Sequence, residues 1–262
     1  MASHSAPWTA FPHTADYAMT LAALKKAWAR LHTGDCEPLP KDAAVLQAWL
    51  LFHQGEFQKA AAAGHAAGAA GITVANKATS IYANYLEPGE KAKLALFMEV
   101  ADRAEAQQAS EPDNANAWYW QAYALGRYSQ GISVAKALAQ GLGGKIKTAL
   151  ERAIALEPKH ADAHIALAAF HAEVIDKVGA LIGGMTYGAK KATGLALFNQ
   201  GLALSPGSAI GMMEFANGLV MLEGDKKMKE ATALYEKAAA CIPLDATERL
   251  DVDMAKAELA ED

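Results

Sequence analysis

Apolar residues recur at three- and four-residue spacing along most of the chain, and proline-marked turns break the pattern again and again. The clearest case is Glu111-Pro112-Asp113-Asn114, followed by Ala117-Trp118, Gln121-Ala122 and Leu125. Proline cannot donate a backbone hydrogen bond and pushes the preceding residue out of the helical region, so a helix stops there. Asp113 and Asn114 are turn and N-cap residues, and the next amphipathic helix starts behind them. The same phrase returns at Glu157-Pro158-Lys159-His160, at Ser205-Pro206-Gly207-Ser208 and, more loosely, at Ile242-Pro243-Leu244-Asp245. A chain punctuated in this way predicts a helical repeat array.

Residues 1–14 read as a flexible lead-in, and Asp16 then caps a helix carrying Met19, Leu21, Leu24, Trp28 and Leu31. Gly34-Asp35 ends it. Five helix pairs are predicted after that. They are 43–52 with a helix opening at Phe57, 72–86 with 90–110, 114–127 with 145–156, 161–176 with 189–204, and 208–222 with 228–240. A charged helix over 247–259 closes the stack. The expectation is an all-α solenoid with a leading and a capping helix, one repeat domain over 15–262, clearest over 114–243.

Composition narrows the function classes. Alanine abundance favours helix, and the formal charge of −5 is spread with both signs interspersed, which disfavours nucleic acid as a partner. Cys36 and Cys241 alone build neither a disulfide framework nor a thiolate zinc site. The first residues show no basic and apolar leader, and no apolar run is long enough for membrane insertion. A cytoplasmic location is the expectation.

These residues resemble tetratricopeptide repeats. Trp118, Ala122, Leu125, Leu150, Ala153 and Pro158 fit the pattern in one unit, and Leu167, Ala168, Phe198 and Pro206 in the next. Phe215, Ala216, Gly224-Asp225, Ala231, Tyr235, Ala238 and Pro243 fit it in the last, and Gly55-Glu56-Phe57 resembles the mid-repeat turn. The resemblance implies a right-handed solenoid and a non-enzymatic scaffold for protein or peptide partners. The repeat is about thirty-four residues in that family. Here two units are lengthened by Gly-rich inserts, 131–144 and 178–188. In this they are similar to microtubule-dynamics-regulator-type proteins and to the T-component of TRAP-type transporters.

The inserts read as mobile apolar loops that close over a ligand, with Met185, Tyr187 and Lys145 as candidates. Tyr119 and Tyr123, four apart, are expected to line the concave groove with Asn116, Met213 and Asn217. The comparable groove positions Asp162, Ile165, Ala169 and Ile210 lack the Lys and Asn set of carboxylate-clamping relatives, so the groove is expected to be apolar to neutral. His160, His164 and His171 have spacings that could start a metal site, but packing or groove-lining roles are favoured and no metal or cofactor is expected. Gly141-Leu-Gly-Gly144-Lys145-Ile146 lacks the Ser or Thr and the strand of a phosphate loop. His32 and Cys36, four apart, are weak evidence for a nucleophile.

The reading is therefore a scaffold that binds a partner segment in its groove, a homo-oligomer being compatible with it. The alternative is a small-molecule or metal-binding protein whose inserts close a pocket above His164 and His171.

Overall fold

The computed structural model describes residues 7–261. Among them are fourteen α-helices and no strand. The leading helix α1 (Leu21–Leu31) is followed by the pairs α2 (Ala43–His53) with α3 (Phe57–Ala66), and α4 (Ile72–Tyr85) with α5 (Glu90–Ser110). The third pair is α6 (Ala115–Gln130) with α8 (Leu142–Leu156), and a short α7 (Val134–Ala139) lies between them. The fourth is α9 (Ala161–Val178) with α11 (Lys191–Leu204), separated by α10 (Ala180–Tyr187). The fifth pair, α12 (Ala209–Glu223) and α13 (Met228–Ala239), leads to α14 (Ala246–Glu261). The chain is an all-α array of the tetratricopeptide-repeat type, as the sequence predicts.

Local chemistry places the starts. The Asn114 side chain accepts from Asn116 and Ala117 N–H, Asp42 from Ala44 and Val45, and Ser208 from Gly211, each taking up donors that the first turn leaves free. At α1 the cap is Thr20, which accepts from Ala23. Asp16 instead lies in a 3₁₀ turn, Thr14–Tyr17, upstream of it. Pro112, Pro158, Pro206 and Pro243 all fall between helices.

Cores form where successive pairs face each other. Trp28, Trp49, Phe52 and Phe57 fill the first. Phe97, Trp120, Leu150 and Phe170 fill the middle, and Phe198, Phe215 and Leu219 the last. Packing is tight at Gly218, where an added Cβ would lie 2.3 Å from the Phe198 ring. Of the lead-in, residues 1–6 lie outside the described residues. Residues 7–14 are anchored: Trp8 stacks on Tyr82 at 4.1 Å between centroids, and Phe11 is buried against Phe57.

The two Gly-rich inserts correct the sequence reading, because they are not loops but helices. Ser133 caps α7 through Lys136 N–H, and α8 already begins at Leu142, taking Gly143 and Gly144 into its first turn. Gly141, Gly179 and Gly188 hold φ of +64°, +82° and +65°, a region open mainly to glycine, and so end helices rather than loosen the chain. Gly143 lets α10 approach, since a Cβ there would meet the Tyr187 ring at 2.7 Å.

The far end also departs from expectation. The closing helix α14 packs on α12 and α13 but also reaches back to the first pair, touching α2. Asp245 meets His53 of α2 at 2.6 Å, Glu248 meets Arg30 of α1 at 2.6 Å, and Asp251 accepts from the Tyr85 hydroxyl of α4. Stacked pairs wind through a full turn, so the last helix meets the first and the concave groove closes on itself.

Candidate functional site

The closed groove leaves an inner cavity of about 300 Å³. Its walls come from α4 (Lys77, Ile81, Tyr85), α6 (Tyr119, Trp120, Tyr123, Arg127), α9 (Asp162, Ile165, Ala169, Phe170) and α12 (Ile210, Glu214). Asp245, Asp251 and Val252 close it from the α14 side, and Val134, Leu138, Val178 and Tyr187 rim it from the inserts. Successive inward helices each contribute residues one turn apart, which is why Tyr119 and Tyr123 both reach it.

One end of the cavity is a buried polar network. Lys77 Nζ lies 2.6 Å from Asp35 Oδ2 and over the rings of Trp49, Phe52 and Trp120 at 5.6, 5.2 and 5.9 Å. The ring faces and the carboxylate together hold the ammonium where water is scarce. Burial works against the charge of Lys77, but Asp35 outweighs it and raises the Lys77 pKa. Burial likewise opposes the charge of Asp35, which Lys77 and then His32 hold well below the usual carboxylate range. Asp35 Oδ1 is 2.8 Å from His32 Nδ1, and His32 Nε2 is 3.2 Å from His53 Nε2. His53 Nδ1 completes the chain to Asp245.

Asn116 belongs to this network and not to the cavity wall. Its amide donates to Asp35 O and to Glu37 Oε2, and its Oδ1 faces His160 Nε2 at 3.0 Å. Burial, then the nearby Asp35 charge, push the Glu37 carboxyl up to about 8. His160 is the N-cap of α9, and burial lowers its pKa to about 4.

Two polar groups on the wall are left over. Among the described residues, the Asp162 carboxylate and the Tyr119 hydroxyl have no hydrogen-bond partner. Burial, reinforced by Asp35, pushes Asp162 up to about 7. By contrast Arg127 is spent, bonded to Glu214 at 2.8 Å with its guanidinium 5.4 Å from the Tyr123 ring centre.

The cavity therefore gathers Tyr119, Tyr123, Asp162, Ile165, Ala169 and Ile210, but not every expected residue. Met213 is off the cavity wall, buried in a core with Ala209, Ala238 and Val252. Asn217 is exposed and bonds Tyr235, beside a shallow outer depression. One residue along α12 turns the side chain by about 100°, and Glu214 takes the inward position instead. The groove is not purely apolar: Arg30, Lys77 and Arg127 line it, each matched to a carboxylate. Of the insert candidates Tyr187 lines the rim against Phe170, while Met185 (82% exposed) and Lys145 face outward.

The histidine series does not converge. His164 Nε2 donates to Pro158 O, His171 Nδ1 accepts from Lys190 N–H, and His160 turns to Asn116. No group of three or more His, Cys, Asp or Glu side chains is placed to hold a metal ion among the described residues. Nor do His32 and Cys36 form a nucleophilic pair, since His32 bonds Asp35 and burial pushes the Cys36 thiol up to about 11. Sequence reasoning missed Lys77, Asp35, His53 and Asp251. Lys77 and Asn76 in the midst of Val74, Ala75 and Ala78 were the available signal, polar residues on an otherwise inward stretch.

No family model matches this chain, and no curated protein matches it. Among solved structures it is similar to a thermophilic TPR protein of Thermus thermophilus, with a TM-score of 0.56 and 17% identity over 82% of this chain and 97% of that one. That likeness supports the fold. The likeness to microtubule-dynamics-regulator and transporter T-component proteins rests on the sequence alone.

Proposed function

We propose, from a chain with the fold of a tetratricopeptide-repeat protein, that the molecule is a non-enzymatic binding module that takes the end of a partner into its inner cavity. Solenoids of this kind present concave surfaces for interaction, and the fold suggests a protein-interaction scaffold in general terms. The finer reading rests on one observation. Three polar contacts, Arg30–Glu248, His53–Asp245 and Tyr85–Asp251, join the last helix and its start to α1, α2 and α4. They turn a groove into a cavity of about 300 Å³, at the small end of ligand sites. A half-open cavity of this size suits a side chain, a chain end or a small molecule.

The small-molecule reading keeps its place for the same reason, with the pocket between Tyr119, Tyr123 and Asp162 instead of above His164 and His171. Among the described residues no helix is long and apolar enough to cross a membrane. The test is native mass spectrometry of the protein purified gently from its own cells, beside Ala169→Trp, which fills the cavity. A mass that accompanies the wild type and leaves with Ala169→Trp supports the reading. A mass retained by that variant rejects it.

A further inference from the structure

The cavity's charges do not balance. Lys77 is matched to Asp35, Arg127 to Glu214 and Arg30 to Glu248. Asp245 has His53, and Asp251 has only the neutral Tyr85 hydroxyl. The Asp162 carboxylate has no partner at all among the described residues, and it lies in the cavity wall at the first turn of α9. Asp162 is only half-buried and lines the cavity, so its unmatched carboxylate is free to accept from an occupant.

A second, independent observation points the same way. Tyr119 is only 6% exposed and lines the cavity, yet its hydroxyl makes no bond among the described residues. Its nearest acidic neighbour in electrostatic effect is Asp162. Tyr119, Trp120 and Tyr123 pack edge to face, with centroids 5.0 and 5.3 Å apart, and wall the same space. A free carboxylate, a free phenol and aromatic walls are the elements that recognise an N–H-rich cation with an apolar stem.

Gly34 makes room for this arrangement. Its carbonyl accepts from Asp162 N–H at 3.0 Å, and a Cβ on it would lie 2.4 Å from Asp162 Oδ1. Only glycine lets the carboxylate stay where it is.

We propose that the inner cavity binds an aliphatic ammonium group, its N–H donors on Asp162 and Tyr119 and its stem against Tyr123 and Trp120. This rests on the cavity reading above. The ammonium belongs either to a free small amine or to a lysyl side chain of a partner protein. An empty site holds Asp162 near the middle of its titration at neutral pH, so a cation entering also drives off a proton.

The probes are butylammonium, butanol, butyrate and Nα-acetyl-lysine methylamide, titrated at pH 7.5 by two-dimensional amide NMR on the full chain. Expected is saturable binding of butylammonium with shifts around Asp162 and Tyr119, weakened about tenfold or more by Asp162→Asn and by Tyr119→Ala. Tighter binding of the lysine derivative assigns the group to a protein side chain, and weaker binding to a free amine. Equal binding of butanol and butylammonium in the cavity overturns the cation proposal and leaves the cavity reading standing. Butylammonium binding that survives both Asp162→Asn and the cavity-filling Ala169→Trp overturns both. Absence of butylammonium binding overturns the cation proposal. Unchanged amide spectra outside the site show that each variant is folded.

Discussion

His32 and His53 meet Nε2 to Nε2 at 3.2 Å, and each ring bonds an aspartate through its other nitrogen, Asp35 at 2.8 Å and Asp245 at 2.6 Å. Both carboxyls are held below their ordinary range, Asp35 against burial by Lys77 and His32, Asp245 against burial by the bond from His53. As carboxylates they only accept, so both Nδ1 atoms donate. Burial lowers the His32 pKa to about 4 against the pull of Asp35, and the paired rings lie between two carboxylates with Lys77 as the nearby cation.

Replacing His53 by Phe removes this link between α2 and α14. Asp245 and His32 then lose their buried partners, which costs about 2–4 kcal/mol. Urea unfolding followed by circular dichroism measures it. A change under about 0.5 kcal/mol, the size of an ordinary surface substitution, would mean that the ring closure contributes nothing.

Lys77→Met is expected to be worse than the double variant Lys77→Met with Asp35→Asn. The single change strands a buried carboxylate, at a cost of about 3–5 kcal/mol, whereas the double change removes both charges and recovers much of the loss. A double-mutant cycle on thermal unfolding gives the coupling. Additive losses would show that Asp35 does not depend on Lys77.

Asp162→Asn changes stability in a pH-dependent way. Burial and Asp35 raise the Asp162 pKa from 3.8 to about 7 in the folded chain. A raised folded pKa means stability that is fully present below about pH 4 and lost as pH rises through 7. The groups facing Asp162 are Asp35 and Lys77, with Tyr119 on α6, and Asp251 on α14. The variant should therefore gain on the wild type between pH 5 and pH 8, by on the order of 2 kcal/mol. The comparison is of unfolding free energies with no ligand added. A difference that is equal at both pH values would contradict the raised pKa.

The outer face of α10 carries Leu181, Ile182 and Met185, exposed by 76, 58 and 82%. Changing all three to Ser should leave unfolding free energy within about 0.5 kcal/mol per site. A much larger loss in chemical denaturation would place that face against something in solution.

The helices were legible because their ends are written locally. Asn114, Ser208 and Asp42 cap where a cap residue precedes an apolar repeat, and proline stands between pairs. Asp16 and Thr20 are both residue types that can cap, and only the 3₁₀ turn over Thr14–Tyr17 decides for Thr20. Glycine misled in the inserts. Gly141, Gly179 and Gly188 stop helices at positive φ, which composition alone does not distinguish from a loose loop.

The inner wall was legible only in part. Tyr119 and Tyr123 face inward because α6 follows the repeat pattern, while Met213 and Glu214 differ by a single step of helix rotation. The polar end was out of reach. His53 and Asp245 are 192 residues apart, and nothing local says that five pairs wind far enough to bring them together.

Cysteine labelling tests most directly where the molecule binds. Ala169→Cys places a thiol in the cavity wall and Asn217→Cys one on the outer face, in a background with Cys36 and Cys241 changed to Ser. Each is labelled as purified from its own cells and again after ligand is stripped by unfolding and refolding. The account predicts slower labelling at position 169 before stripping and equal rates at position 217. Protection at position 217, or none at 169, would contradict it.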